Sequence, residues 1–202
     1  PNIATILERN NGEILIGTSG HSMFLLETRG DSIKARQISR FISSNLITYA
    51  YEDRKGNLWI ATGDNGIFRF DKNNQSKHYS GEKDIAKNTV SSMCEDKQGN
   101  LYMSSLKKGL FIYDDKKDVF IPFTDTPNPD LPIKILYPGD QNEIFIGTDG
   151  SGMKVYDTQE QKIKEANFNI TTFNLKKAKV HSILKDKIGN IWLGFFQKGV
   201  MI

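Results

Sequence analysis

Apolar positions along this chain fall in short runs such as Leu58-Trp59-Ile60-Ala61 and Leu101-Tyr102-Met103, each preceded by a polar turn holding Asp, Gly and Asn. Short runs rich in β-branched and aromatic residues, bounded by turn formers, predict β-strands. The runs also repeat. Five segments align without a gap across a central motif. The clearest runs from Ile47 through Glu52-Asp53-Arg54-Lys55-Gly56-Asn57-Leu58-Trp59-Ile60-Ala61-Thr62 to Gly66 and Asp71. A second holds Glu95-Asp96 through Gly99-Asn100-Leu101-Tyr102 to Asp114, and the last runs from Asp186 through Gly189-Asn190-Ile191-Trp192 to Ile202. Two looser copies centre on Glu13 and Glu143. The equivalent positions Glu13, Asn57, Asn100, Glu143 and Asn190 are spaced 44, 43, 43 and 47 residues apart. A period near 43 with short strands is that of a four-stranded propeller blade.

The aligned columns carry physical meaning. Ile3, Ile47, Val90, Ile133 and Val180 are β-branched, as a buried strand favours. Leu15, Trp59, Tyr102, Phe145 and Trp192 are large and mostly aromatic. Two residues further, on the same strand face, stand Gly17, Ala61, Ser104, Gly147 and Gly194, small in every copy. This predicts aromatics filling the space between blades and small residues where blades crowd together.

The turns complete the blade. Asp, Gly and Asn at matched offsets in Asp53–Asn57, Asp96–Asn100 and Asp186–Asn190 predict a hairpin between first and second strands. Gly66, Gly109, Gly152 and Gly199 open the third strand, and Asp71, Asp114 and Asp157 close it by capping the next turn. Fourth strands are expected around Ile33–Ile38, Lys77–Ser80, Val119–Thr124 and Phe168–Phe173. The fold class is therefore all-β: antiparallel four-stranded propeller blades in repeats at 1–43, 44–86, 87–129, 130–176 and 177–202, the last incomplete. Stopping inside the third strand of the fifth copy predicts an arc from a larger ring, the other reading being a small ring closed by a dimer partner.

The pattern at Glu52 to Asp71, with weaker copies at Glu95 to Asp114 and Lys185 to Ile202, resembles the two-component regulator propeller repeat. The resemblance implies the periplasmic sensor region of a hybrid two-component system of the kind common in gut Bacteroidetes. Such regions are seven-bladed propellers followed by an immunoglobulin-like domain, a membrane helix and a histidine kinase. It further implies oligosaccharide ligands from complex glycans and a homodimeric receptor. The kinase, the helix and the sandwich are not in this sequence, so the segment itself is expected to be non-catalytic and to meet the membrane only through parts outside this chain. The alternative is a propeller scaffold for protein–protein interaction.

Composition adds limits. A quarter of the residues are charged, mean hydropathy is −0.47 and the formal net charge is +3, with no clustered basic patch. A nucleic-acid partner is not expected. The single cysteine, Cys94, lies among strand residues and is expected to be a small buried hydrophobe. No apolar run approaches the roughly 18–20 residues that span a bilayer, and no signal peptide is visible at Pro1.

Candidate chemistry is sparse. Adjacent carboxylates Glu52-Asp53 and Glu95-Asp96 point to opposite strand faces, which disfavours acid–base pairing. His21, His78 and His181 show no metal-ligand spacing, and His181 reads as a structural first-strand position. Asp71-Lys72-Asn73-Asn74 lacks the Gly and Glu of a calcium loop. Gly147–Gly152 lacks the Lys and helix of a phosphate loop. No cofactor or metal is expected. The loop between second and third strands differs between copies while the scaffold repeats, as a binding face on a repeat scaffold does. Its candidate ligand-binding residues are His21, Asp64, Asn65, Lys107, Lys108, Asp149, Phe195, Phe196, Gln197 and Lys198.

Overall fold

Strands that pair only with their sequence neighbours, with the second strands of blades 2 and 3 buried along their whole length, form a series of small sheets. The computed structural model describes residues 2–29, 32–38, 42, 44, 46–80, 89–124, 128, 130–166 and 175–202. The chain divides into two units, Pro1–Val90 and Ser91–Ile202.

The first unit holds two blades. Blade 1 is β1 (Asn2–Glu8), β2 (Ile14–Ser19), β3 (Met23–Arg29) and β4 (Ser32–Gln37); blade 2 is β5 (Ile47–Glu52), β6 (Leu58–Thr62), β7 (Ile67–Phe70) and β8 (Ser76–Tyr79). The second unit holds three, the first strand of blade 3 starting one residue before the boundary. Blade 3 is β9 (Val90–Glu95), β10 (Leu101–Ser105), β11 (Gly109–Asp114) and β12 (Val119–Pro122). Blade 4 is β13 (Ile133–Pro138), β14 (Glu143–Thr148), β15 (Met153–Asp157) and β16 (Lys162–Glu165), and blade 5 is β17 (Val180–Lys185), β18 (Ile191–Phe195) and β19 (Gly199–Met201). Each sheet follows sequence order, strand beside next strand. These are the expected propeller blades. The fourth strand of blade 4 departs from expectation: it is β16, and Phe168–Phe173 lies outside the described residues. Asp157 brings the chain back early, its Oδ1 accepting from the N–H groups of Gln159 and Glu160, so Ile163 pairs with Tyr156 at once.

One carboxylate organises the start of each well-formed blade. Asp53 Oδ1 accepts the N–H groups of Lys55 (3.0 Å) and Asn57 (2.8 Å), while Oδ2 accepts Asn57 Nδ2 and Trp59 Nε1, both at 2.8 Å. The arrangement recurs at Asp96, where the hydroxyl of Tyr102 replaces the indole, and at Asp186 with Trp192. Burial, with the Asp96 charge beside it, pushes the Tyr102 phenol well above its usual range. Donation from Trp192 Nε1 is the main cause that holds Asp186 below the usual carboxylate range. Where the aromatic carries no donor, the aspartate is gone: blade 4 pairs Phe145 with Gly139, and blade 1 pairs Leu15 with Arg9. A buried donor needs an acceptor, and an acceptor without a donor would be an unpaired buried charge.

Blades interlock as the columns predicted. A Cβ added at Gly17 would lie 2.5 Å from Cγ2 of Ile47, and one at Gly147 would lie 2.9 Å from Cγ1 of Val180. The small residue of one blade is thus the seat for the β-branched residue of the next, and Ile47, Ile133 and Val180 are fully buried. The aromatic column fills the seams of the second unit. Tyr102 meets the ring of Tyr156 at 5.7 Å, Phe123 meets it at 5.0 Å, and Phe145 packs with Ile183 and Leu193. Cys94 is buried in the seam of blades 3 and 4, which pushes its thiol far above the usual range.

The third strand opens on a residue with positive φ: Gly66, Gly109, Gly152 and Gly199 at 68–78°. In blade 1 the position is Ser22, with φ 68° and a buried hydroxyl without a hydrogen-bond partner among the described residues.

Two expected outcomes follow from these contacts. Asp53→Ala should lower unfolding stability by roughly 2–4 kcal/mol, because it orphans a buried indole N–H and the turn amides together. In a Trp59→Phe background the same change should cost about 1 kcal/mol less, read from urea unfolding as a double-mutant cycle. At the third-strand opening, Ser22→Gly should stabilise by about 1 kcal/mol, and Gly66→Ala should destabilise by roughly 2 kcal/mol. The Cβ of the latter would press on the carbonyl oxygen of Tyr79. Circular dichroism melts compare the pair directly.

Candidate functional site

The loops between second and third strands are built alike, so what differs is what they present. In blades 1, 2 and 4 a threonine stands at the end of the second strand or one residue before it: Thr18, Thr62 and Thr148. Its Oγ1 donates to the carbonyl of the residue opening the third strand, and accepts an N–H from within the loop. The loop backbone is therefore pinned, and its side chains are left to vary.

In the first unit, His21 is exposed and its N–H is held by Thr18. Asp64 accepts from Ser44 Oγ at 2.5 Å, and the carbonyl of Asn65 meets His78 Nε2 at 2.6 Å. That histidine stacks flat on Phe68, with centroids 4.1 Å apart. In the second unit, Lys107 and Lys108 are exposed on the loop of blade 3, and Lys108 pairs with Asp130 at 3.2 Å.

The richest grouping lies where blade 4 meets blade 5. Asp149, on the loop of blade 4, bridges to Lys179 at the entry of blade 5, with Nζ 3.0 Å from Oδ1. Lys179 Nζ also stands 5.8 Å from the ring centre of Phe196. Phe196 is 48% exposed, and its ring lies 5.3 Å from that of His181. Gln197 and Lys198 continue the same exposed turn, Gln197 with φ 57°. Phe195 differs from the loop reading: it is the last residue of β18, only 9% exposed, and packs with Phe145 and Leu193. Strand alternation sends one of the two neighbouring rings inward and the other outward.

Three residues outside the loops join this grouping. The pairing of first and second strands breaks register once in each of blades 1, 2, 4 and 5, between Ile3 and Thr5, Ile47 and Tyr49, Ile133 and Ile135, and Val180 and Ser182. The extra residue at each bulge is Ala4, Thr48, Lys134 and His181. A bulge re-aims one side chain, and here it does so at the same place in these four blades. The imidazole of His181 is held below its ordinary pKa, first by burial and then by Lys134; Asp149 opposes the shift and Lys179 adds to it. His181 and Lys134 are legible only as members of a column that changes from Ala to Thr to Ser to Lys to His beside an invariantly β-branched one, and no column marks Lys179.

The arrangement offers a half-exposed ring edged by an ion pair, a second lysine and an imidazole whose neutral form burial favours. Among the described residues no group of three or more His, Cys, Asp or Glu side chains is placed to hold a metal ion. No helix among them is long and apolar enough to cross a membrane.

Comparison with known proteins agrees with the blade architecture. Residues 42–64 and 84–107 match the two-component regulator propeller family. No curated protein matches the chain. Among solved structures, the extracellular domain of a hybrid two component system from B. thetaiotaomicron superposes with a TM-score of 0.75 at 19% identity, covering 98% of this chain. This chain spans only 26% of that one. A catalytically inactive virginiamycin B lyase from Staphylococcus aureus gives 0.71 at 13% identity, over 95% of this chain and 62% of its own. PorZ, a surface component of the type-IX secretion system of Porphyromonas gingivalis, gives 0.70 at 16% identity, over 98% and 31%. At these identities the likeness is one of fold, and the fold occurs in a lyase as well as in the extracellular domain of a two component system. The matched segments cover the turn and second strand of blade 2 and the corresponding parts of blade 3: the chain carries the two-component regulator propeller repeat.

Proposed function

We propose that this chain is a ligand-sensing propeller segment from the extracytoplasmic part of a two-component receptor, and that its ligand is an oligosaccharide bound at the loops of blades 4 and 5. The observation that carries the reading is Phe196. A half-exposed ring on a repeat scaffold, beside an Asp149–Lys179 pair and His181, is a platform for the apolar face of a sugar with donors and acceptors at its edge. The carboxylate and ammonium suit sugar hydroxyls, and the pinned loop backbone keeps the ordering cost of binding low. The repeat match and the shared fold with a hybrid two component system's extracellular domain support the receptor context. In a dimeric receptor, a ligand that prefers one of two arrangements shifts their populations, and that shift is the signal.

A thermal-shift screen of the folded chain against a glycan panel tests this. A true ligand should raise the melting temperature in a saturable way. Phe196→Ala should then weaken binding at least tenfold, about 1.4 kcal/mol, with Asp149→Ala also weakening it and the unliganded melting temperature little changed. A flat panel, or affinity indifferent to both changes, would turn the reading to a protein partner. The imidazole of His181 should titrate below the ordinary value of about 6.5. Its midpoint should rise in Lys134→Met, followed by ring-proton NMR. A neutral ring is favoured by the fold, so this group's contribution to stability is lost as pH falls from 6.5 through the lowered value.

A further inference from the structure

The seam between blades 1 and 2 is packed differently from those of the second unit. Its aromatic-column position is Leu15, where blades 3 and 4 place Tyr102 and Phe145. The missing ring leaves a cavity of about 220 Å³. Its walls are Leu15, Met23 and Leu25 from blade 1 and Leu58, Ile60 and Phe70 from blade 2. Arg9, Glu13, Arg36, Asp71 and Asn74 also line it and supply its polar groups. Both blades lie in the first unit, so the cavity belongs to one body.

The groups replacing the aspartate clamp are organised too. Arg9 donates to Glu13 at 2.8 Å through Nη1, and to Glu52 at 2.9 Å through Nη2 and 3.1 Å through Nε. Glu52 belongs to blade 2, so this bridge ties the blades together beside the cavity. Arg36, paired with Glu27 at 2.5 Å, sits across the sheet from Leu25 and Leu15. Leucine in place of an aromatic therefore comes with a complete substitute for the clamp, and the blades remain joined around the space.

We infer that this cavity is a binding site for a small flat aromatic molecule of one or two fused rings. Its apolar walls take the ring and its charged side chains take a polar edge. The size fits, since an apolar cavity of roughly 150 Å³ lined by Leu, Ile and Phe holds a benzene. The shape fits because rings fill the equivalent seams of blades 3–4 and 4–5. The chemistry fits because the ring would meet aliphatic and aromatic side chains while a group such as an indole N–H meets Glu13, Asp71 or Asn74. The site is separate from the loop grouping of blades 4 and 5, and it does not depend on the sugar-sensing reading.

The test uses 5-fluoroindole as probe and the whole chain, followed by fluorine NMR together with methyl-labelled Leu, Ile and Met. Saturable binding is expected with a dissociation constant on the order of 1 mM, as suits so few non-hydrogen atoms. The shifted methyl signals should be those of Leu15, Met23, Leu25 and Ile60. Restoring the blade 2 combination with Leu15→Trp, Arg9→Asp and Glu13→Asn should fill the space, raise the melting temperature and weaken probe binding at least tenfold. Leu15→Phe, the residue type of blade 4, serves as the milder filling should the triple variant fail to fold. Three results would overturn the proposal: no saturable binding at about ten times that concentration, methyl shifts confined to other seams, or unchanged affinity in a folded Leu15→Phe protein.

Discussion

Each well-formed blade depends on one aspartate carboxylate that joins a turn to a core. Asp53 accepts the hairpin amides of Lys55 and Asn57 with one oxygen, and the Asn57 side-chain amide and the buried Trp59 indole with the other. Its two oxygens accept four hydrogen bonds, which offsets the cost of taking a charge out of water. The same atoms set where the second strand begins and how its large side chain is turned. Because the requirement is mutual, the blades vary it as a unit. Tyr102 takes the place of tryptophan with Asp96 unchanged, while Phe145 and Leu15 occur with no aspartate at all. Within one chain, the repeats act as natural double mutants of the clamp.

Packing between blades obeys a second constraint, that of steric exclusion. Gly17 and Gly147 leave room only for hydrogen, and the β-branched residue of the following blade fills the rest. Large side chains two residues away must then occupy the wider part of each wedge. Where the large residue shrinks to leucine, the wedge stays open, because Ile47 on Gly17 and Arg9 on Glu52 still hold the blades at their spacing. Close-packed interiors do not collapse around a missing ring when their borders are pinned.

The loop grouping rests on the same scaffold. Threonine hydroxyls fix the loop backbones of blades 1, 2 and 4, and a bulge in the first strands of blades 1, 2, 4 and 5 re-aims one residue beside the loops. Neither device constrains side-chain identity. Function can therefore change at Asp149, Phe196, Lys134 and His181 without cost to the blade, whereas Asp53 or Gly66 cannot change freely.

Strand and turn positions were legible in the sequence because they follow from local rules. Short apolar runs set strands, Asp, Gly and Asn set hairpins, and repetition turns weak signals into columns whose small and β-branched members name the crowded contacts. The sequence also determined that Cys94 is buried and that neighbouring carboxylates such as Glu52 and Asp53 serve separate ends. The tertiary structure alone decided what depends on two blades meeting. It turned Phe195 inward and left Phe196 out, whereas the early fourth strand of blade 4 at Lys162–Glu165 follows from a local turn capped by Asp157. It also brought Lys179 and the bulged His181 to Asp149 and Phe196, and it opened a cavity over Leu15. Asp149 and Lys179 lie 30 positions apart and Leu15 and Leu58 lie 43 apart, and their types obey no local pattern, so their meeting is fixed only by the stacking of one blade on the next.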